Sequence, residues 1–249
     1  MRRAVAKIKP ASGFSKVAHW ILVIILPVLA LVFVRWSILP LAYGVVILSK
    51  WRMFAVRPRH WPANIRANAI DIIAGLSFVV FMAQAPSAAW QLIWLVVYEF
   101  WLLVVKPRSK TFWTSVQAAI GQFAGLTAVY LLWGRSSLVL LVLVTWIITY
   151  LSARHFFSSF DEPLSSMLSH IWGYIAAALT WVLGHWLLYY GFLAQPVLLL
   201  SVLSYGLAAL YYLENFDKLS TLVKREIILI MSAVIIVIVL FSSWGDKTI

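Results

Sequence analysis

Apolar residues run along this chain in long stretches, and most polar residues fall between them. A transmembrane helix needs about 20 mostly apolar residues, with a range near 17–25. Nine stretches approach that length: about 17–34, 36–50, 64–84, 88–105, 111–133, 137–153, 165–190, 196–213 and 227–244. The pattern predicts an all-α fold, a polytopic transmembrane helical bundle of about nine spans with no soluble domain. The second stretch is the weakest: it is short, contains Pro40, and follows the first across Arg35–Trp36. If 36–50 is re-entrant, eight full spans remain. Pro62, Pro86, Pro107, Pro163 and Pro196 all fall at span boundaries, where a residue lacking an N–H does least harm. The organisation predicted is a basic N-terminal segment (1–16), one integral membrane helical domain (17–244) and a short tail (245–249).

Composition agrees with the pattern. Of the 249 residues, 63% are hydrophobic and 11% charged, against roughly 45–50% and about 25% in soluble domains. The chain has no Cys, which excludes a disulfide or zinc-thiolate scaffold. Many aromatics sit near span ends, among them Trp20, Trp36, Trp51, Trp61, Trp90, Trp133, Tyr189, Tyr190 and Trp244, as in an interfacial belt.

Charge adds an orientation. With the N-terminus in the cytosol, the cytosolic cations are Arg2, Arg3, Lys7, Lys9, Lys16, Lys50, Arg52, Arg57, Arg59, Arg66, Lys106, Arg108, Lys110, Arg154, Lys218, Lys224 and Arg225. Only Arg35, Arg135 and Lys247 fall on the other side. Seventeen against three is a strong positive-inside asymmetry. It predicts a multi-pass protein of the cell membrane with a cytosolic N-terminus. The net charge of +12 is therefore read as loop retention and attraction to anionic headgroups, not as nucleic-acid binding. The expected partners are membrane lipids, anionic headgroups included, and a second membrane subunit is an open alternative.

Ionisable residues inside spans cost roughly 2.5–3.5 kcal/mol each on insertion, which makes each a functional candidate. Asp71 lies in the third span and Glu99 in the fourth. Counted from the turn at Pro86, they reach similar depth. Two carboxylates at one depth in a low dielectric do not easily both ionise. They would share a proton, hold a divalent ion with His170 or Gln117, or pair with Arg66 and Lys106. Asn64, Asn68, Asp71 and Gly75 share one helical face, and a polar stripe must face protein or a wet cavity. The seventh span carries a stripe of Ser166, His170, Gly173, Ala177, Thr180 and Gly184, and the fifth carries Thr114, Ala118, Gly121 and Gly125 flanked by Gln117 and Gln122. Small residues in such stripes let neighbouring backbones approach closely. Ile227–Leu240 is apolar all round and reads as a peripheral helix.

Asn68, Asp71, Glu99, Gln117 and His170 then fall in one polar layer near the cytosolic side, with Arg66, Lys106, Arg154 and His155 at its mouth. That layer suits a phosphate-bearing headgroup held by cations, with Asp71, Glu99 or His170 as acid, base or metal ligand. Asn64, Asn68, Arg66, Lys106, Gln117, Arg154 and His155 are the expected binding residues. No motif specifies a cofactor: there is no Walker A, GxGxxG, HExxH or GxSxG sequence, and a bis-His haem would need His19 with His170. The first functional expectation is a protein that binds or processes a lipid or lipid-linked phosphate at the cytosolic leaflet. The alternatives are a small proton- or cation-coupled transporter and a non-catalytic membrane subunit or assembly factor.

Overall fold

A computed structural model describes residues 13–186, 188–190 and 192–243, with side chains described from residue 20 onward. The basic segment 1–12, the tail and Trp244 lie outside the described residues. Among those described, the fold is all-α: α1 (Gly13–Arg35), α2 (Leu39–Leu48), α3 (Trp61–Ala83), α4 (Ala88–Phe100), α5 (Thr111–Trp133), α6 (Leu138–Ser158), α7 (Ser165–Gly184), α8 (Gln195–Asn215) and α9 (Thr221–Phe241). Among the described residues, six helical segments are long and apolar enough to cross a membrane: Pro58–Ala83, Ala88–Val105, Thr111–Trp133, Leu138–Ser158, Ser165–Gly184 and Gln195–Asn215.

The helix α2 is shorter than the stretch that predicts it. Its 10 residues rise about 15 Å at 1.5 Å per residue, half of a hydrocarbon core about 30 Å thick. Pro40 sits in its first turn, where proline is tolerated, and Ser37, at φ 60°, makes the sharp bend from α1. The chain nevertheless runs from one end of the bundle to the other. Val46 packs at Gly75 and Lys50 reaches Asp71, so α2 is antiparallel to α3. Two 3-10 turns, Trp51–Met53 and Pro58–His60, then carry the chain to the start of α3. The segment between Arg35 and Trp61 is thus a short helix laid antiparallel on α3 and followed by two 3-10 turns.

The seventh stretch also ends early. The helix α7 stops at Gly184, and Tyr189–Tyr190 form a two-residue hairpin with Leu193–Ala194 (β1 and β2). The N–H of Ser243 donates to the Tyr189 carbonyl at 2.8 Å and that of Gln195 to the Leu188 carbonyl at 2.7 Å. These two bonds tie the hairpin to the start of α8 and to the residue just past the end of α9.

The helices α3 and α5 lie at the centre. One apolar cluster joins α1, α2, α3 and α4, and a second joins α5, α6, α7 and α8. The contact between α3 and α5 needs glycine: a Cβ on Gly121 would lie 2.8 Å from Ile70 Cγ2, and one on Gly125 2.6 Å from Ile73 Cγ2. The small-residue stripe of the fifth span is thus a packing seam. By contrast, α9 packs on α8, and among its described residues only Ile238 is buried.

Candidate functional site

The polar face of α3 meets the ends of α2 and α4. Asn64 Nδ2 donates to the Met53 carbonyl at 3.2 Å, which holds the α2–α3 connection against α3. One turn on, Asn68 Nδ2 donates to the Asn64 carbonyl at 2.9 Å. The next residue of the stripe, Asp71, is the electrostatic centre. Its Oδ2 pairs with Lys50 Nζ and, at 2.7 Å, with Lys106 Nζ. Its Oδ1 accepts from Trp101 Nε1 at 3.0 Å. Gly75 ends the stripe by leaving room for Val46 and the Tyr98 hydroxyl.

Above Asp71 lies a cavity of about 360 Å³ lined by Ser49, Lys50, Arg52, Met53, Asn64, Asn68 and Lys106. Three cations face it, and the single carboxylate beneath neutralises only part of their charge. The Lys50 and Asp71 side chains are 10% and 11% exposed, while Lys106 is 39% exposed and open to solvent. Burial, reinforced by the like charge of Lys106 and opposed by the attraction of Asp71, pushes the Lys50 amine down to about 8. The pocket therefore holds an excess of positive charge on amines and a guanidinium that can donate to an anion.

Four of the expected residues gather here: Asn64, Asn68, Asp71 and Lys106. Arg66 does not pair with Asp71; its Nε donates to the Pro62 carbonyl at 3.3 Å on its own helix. Lys50, Arg52 and Trp101 belong to the site and were not expected. Lys50 and Arg52 stand in a stretch that reads as loop, and nothing in sequence shows that it folds back onto α3. Trp101 reads as one more belt aromatic.

The remaining expected residues lie elsewhere. Gln117 is a latch: its Nε2 faces the carbonyls of Val105 (2.8 Å), Lys106 (3.3 Å) and Arg108 (2.8 Å). These carbonyls lie at and just beyond the end of the π-helical turn, Trp101–Val105, that follows α4, where helix carbonyls lack intrahelical partners; the Val105 carbonyl also accepts from the Arg108 N–H at 3.3 Å. Gln117 Oε1 pairs with His155 Nε2 at 3.1 Å, which ties the same corner to α6. Arg154 Nη1 donates to Ser165 Oγ at 2.5 Å and joins α6 to α7. His170 stacks on Tyr150 with ring centroids 4.5 Å apart, and Trp146 extends the stack. His19 lies among the undescribed side chains. Among the described residues, no group of three His, Asp or Glu is placed to hold a metal ion.

Glu99 is not among the partners of Asp71, which are Lys50, Lys106 and Trp101. Trp101 points at Asp71, and Glu99, two residues earlier, is turned about 200° from it at about 100° per residue. Glu99 is half-buried on the side of α4, next to exposed Val96 and Phe100. Its Oε2 is buried without a hydrogen-bond partner among the described residues.

Compared with known proteins, the chain matches no family model, and no curated protein or solved structure is significantly similar to it.

Proposed function

We propose that this chain is a multi-pass protein of the cell membrane that binds a lipid or lipid-linked phosphate at the cytosolic leaflet. The observation that carries the reading is the cavity in which Lys50, Arg52 and Lys106 surround two asparagine amides over one carboxylate. A phosphate oxygen held by an ammonium or guanidinium makes a charge-assisted hydrogen bond, about twice as strong as a neutral one. An approaching anion also relieves the repulsion between Lys50 and Lys106. The cation asymmetry of the sequence supports a cytosolic position for this end of the bundle, on the side where anionic headgroups are concentrated. In this reading Asp71 orients the lysines and is not a reacting group, and Lys50, Arg52 and Lys106 carry recognition.

The test is the lipid retained through gentle purification. Phosphate-headgroup lipids are expected to be enriched over the bulk membrane, and Lys50→Gln/Arg52→Gln is expected to abolish the enrichment. Equal retention by that variant would remove the basis of the proposal. Reporter tags on the N-terminal segment test the orientation independently, and a reporter exposed outside the cell would reverse it.

A second reading, a membrane subunit, is favoured by Glu99. Glu99 is half-buried beside exposed Val96 and Phe100; a carboxylate there is costly in lipid, and a donor from a helix of a partner protein packed on this side of α4 would lower that cost. Glu99→Ala would then release a co-purifying chain, which Glu99→Gln would retain. If no chain co-purifies with the unaltered protein, this reading is wrong.

A further inference from the structure

A second cavity, of about 340 Å³, lies among α5, α6, α7 and α8, and none of its walls is shared with the polar pocket. Alanines make the space: Ala118 and Ala119 on α5, Ala153 on α6 and Ala208 on α8. The rim includes Ile171 and Leu207, each 47% exposed, so the cavity opens sideways between α7 and α8 onto the apolar surface of the bundle. Its volume falls within the range of ligand sites, about 300–1,000 Å³.

The polar groups in the wall are mostly spent on the protein itself. Gln122 Nε2 donates to Ser204 Oγ at 2.5 Å, and the Tyr205 hydroxyl donates to the Ala119 carbonyl at 2.9 Å. Ser152 is different. It is 2% exposed, and its hydroxyl has no partner among the described residues. Buried hydroxyls rarely go unpaired. Ser152 lies two residues before Arg154, the cation near the end of α6, so its level is close to the edge of the apolar layer.

We propose that this cavity holds one acyl chain of a membrane glycerolipid, entered sideways between α7 and α8, with its ester carbonyl accepting from Ser152. The apolar walls fit a hydrocarbon chain. The buried, unpartnered hydroxyl of Ser152 fits the ester carbonyl that an acyl chain carries at its head, and an isoprenoid chain carries no acceptor along its length. The site is independent of the phosphate pocket.

Photolabelling in vesicles tests it. The full chain is reconstituted in phosphatidylcholine containing a trace of phosphatidylcholine with a diazirine in one acyl chain, and adducts are mapped by mass spectrometry. Adducts are expected to concentrate on Ala153, Ile175 and Ala208 above the level on exposed Ile230 and Leu240 of α9, which report ordinary lipid contact. Ala208→Phe and Ala119→Phe, made separately, fill the cavity from opposite walls. Each is expected to bring cavity adducts down to the α9 level with α9 labelling unchanged. Ser152→Ala is expected to lower them, and Lys50→Gln to leave them as they are. Cavity adducts no more frequent than those on α9, or persisting in both filled variants, would overturn the proposal. So would stronger labelling by a diazirine-bearing polyprenyl alcohol than by the acyl probe.

Discussion

Asp71→Asn separates a structural carboxylate from a reacting one. Asp71 and Lys50 are each about a tenth exposed, and the carboxylate also accepts from Trp101. Removing one partner of a buried pair costs about 3–5 kcal/mol because the other charge stays buried. Two features place this case near the lower end. The Lys50 amine, already pushed down to about 8, can release its proton, and the cavity beside it admits water. The contribution of Lys106, 39% exposed, is discounted for solvent screening. The expected loss is about 3 kcal/mol. Lys50→Met alone is expected to cost about 1 kcal/mol, since Asp71 keeps Lys106 and Trp101. The double variant is then expected to cost less than the sum, with a coupling of about 2 kcal/mol. Equilibrium unfolding in mixed micelles at pH 7, followed by tryptophan fluorescence, measures all three. Additivity within about 0.5 kcal/mol would refute the buried pair. Headgroup binding should survive Asp71→Asn, because the carboxylate competes with an incoming anion for the two lysines.

Three further outcomes follow from the same geometry. Headgroup binding should weaken as pH rises through about 8: Lys50 is charged below that value and neutral above it. Phosphatidylglycerol, a diester whose charge is constant there, isolates the effect; a flat profile between pH 7 and 9 would show that Lys50 takes no part. Gln117→Leu should destabilise by about 1–3 kcal/mol, because carbonyls at the α4–α5 corner and His155 lose their partner; unchanged unfolding would mean that water replaces the amide at no cost. His170→Gln should insert and fold, because that ring only stacks, whereas Gly173→Leu drives a side chain into Trp146, which a Cβ would already approach to 2.8 Å. Equal yields of folded protein from the two variants would contradict that assignment.

The parts of the site legible in sequence are those set by helical periodicity. Asn64, Asn68, Asp71 and Gly75 fall on one face whatever their neighbours, and that face does line the pocket. Depth was legible too: Trp101, two residues from Glu99, meets Asp71. Azimuth was not. Which face of α4 turns inward depends on packing against Phe78 and Gly75, and it brings Trp101, not Glu99, to Asp71. Lys50 and Arg52 were hidden for another reason. They follow a helix that ends after 10 residues, and the 3-10 turns that return them to α3 have no periodic signature. Gln117 was visible as a polar residue in a span, but its partners are backbone carbonyls at the α4–α5 corner, just after a π-helical turn that no residue pattern announces. The stretch 165–190 contains no Asp, Glu, Lys or Arg and stays apolar on both sides of Gly184, so hydropathy alone could not separate the end of α7 from the hairpin after it.

The most direct test of the phosphate pocket uses the absence of cysteine from the chain. Ser49→Cys, at the exposed rim of the cavity, accepts an environment-sensitive fluorophore without competing sites. Short-chain phosphatidylglycerol is titrated against the labelled protein in micelles at pH 7, with a neutral alkyl glucoside of equal chain length as control. The account predicts a saturable response to the phosphate lipid and none to the glucoside. It also predicts a loss of affinity of about tenfold or more in Lys50→Gln/Arg52→Gln, as removal of charge-assisted hydrogen bonds worth about 1.5–3 kcal/mol requires. The same response to both lipids, or an affinity unchanged by the double substitution, would contradict it.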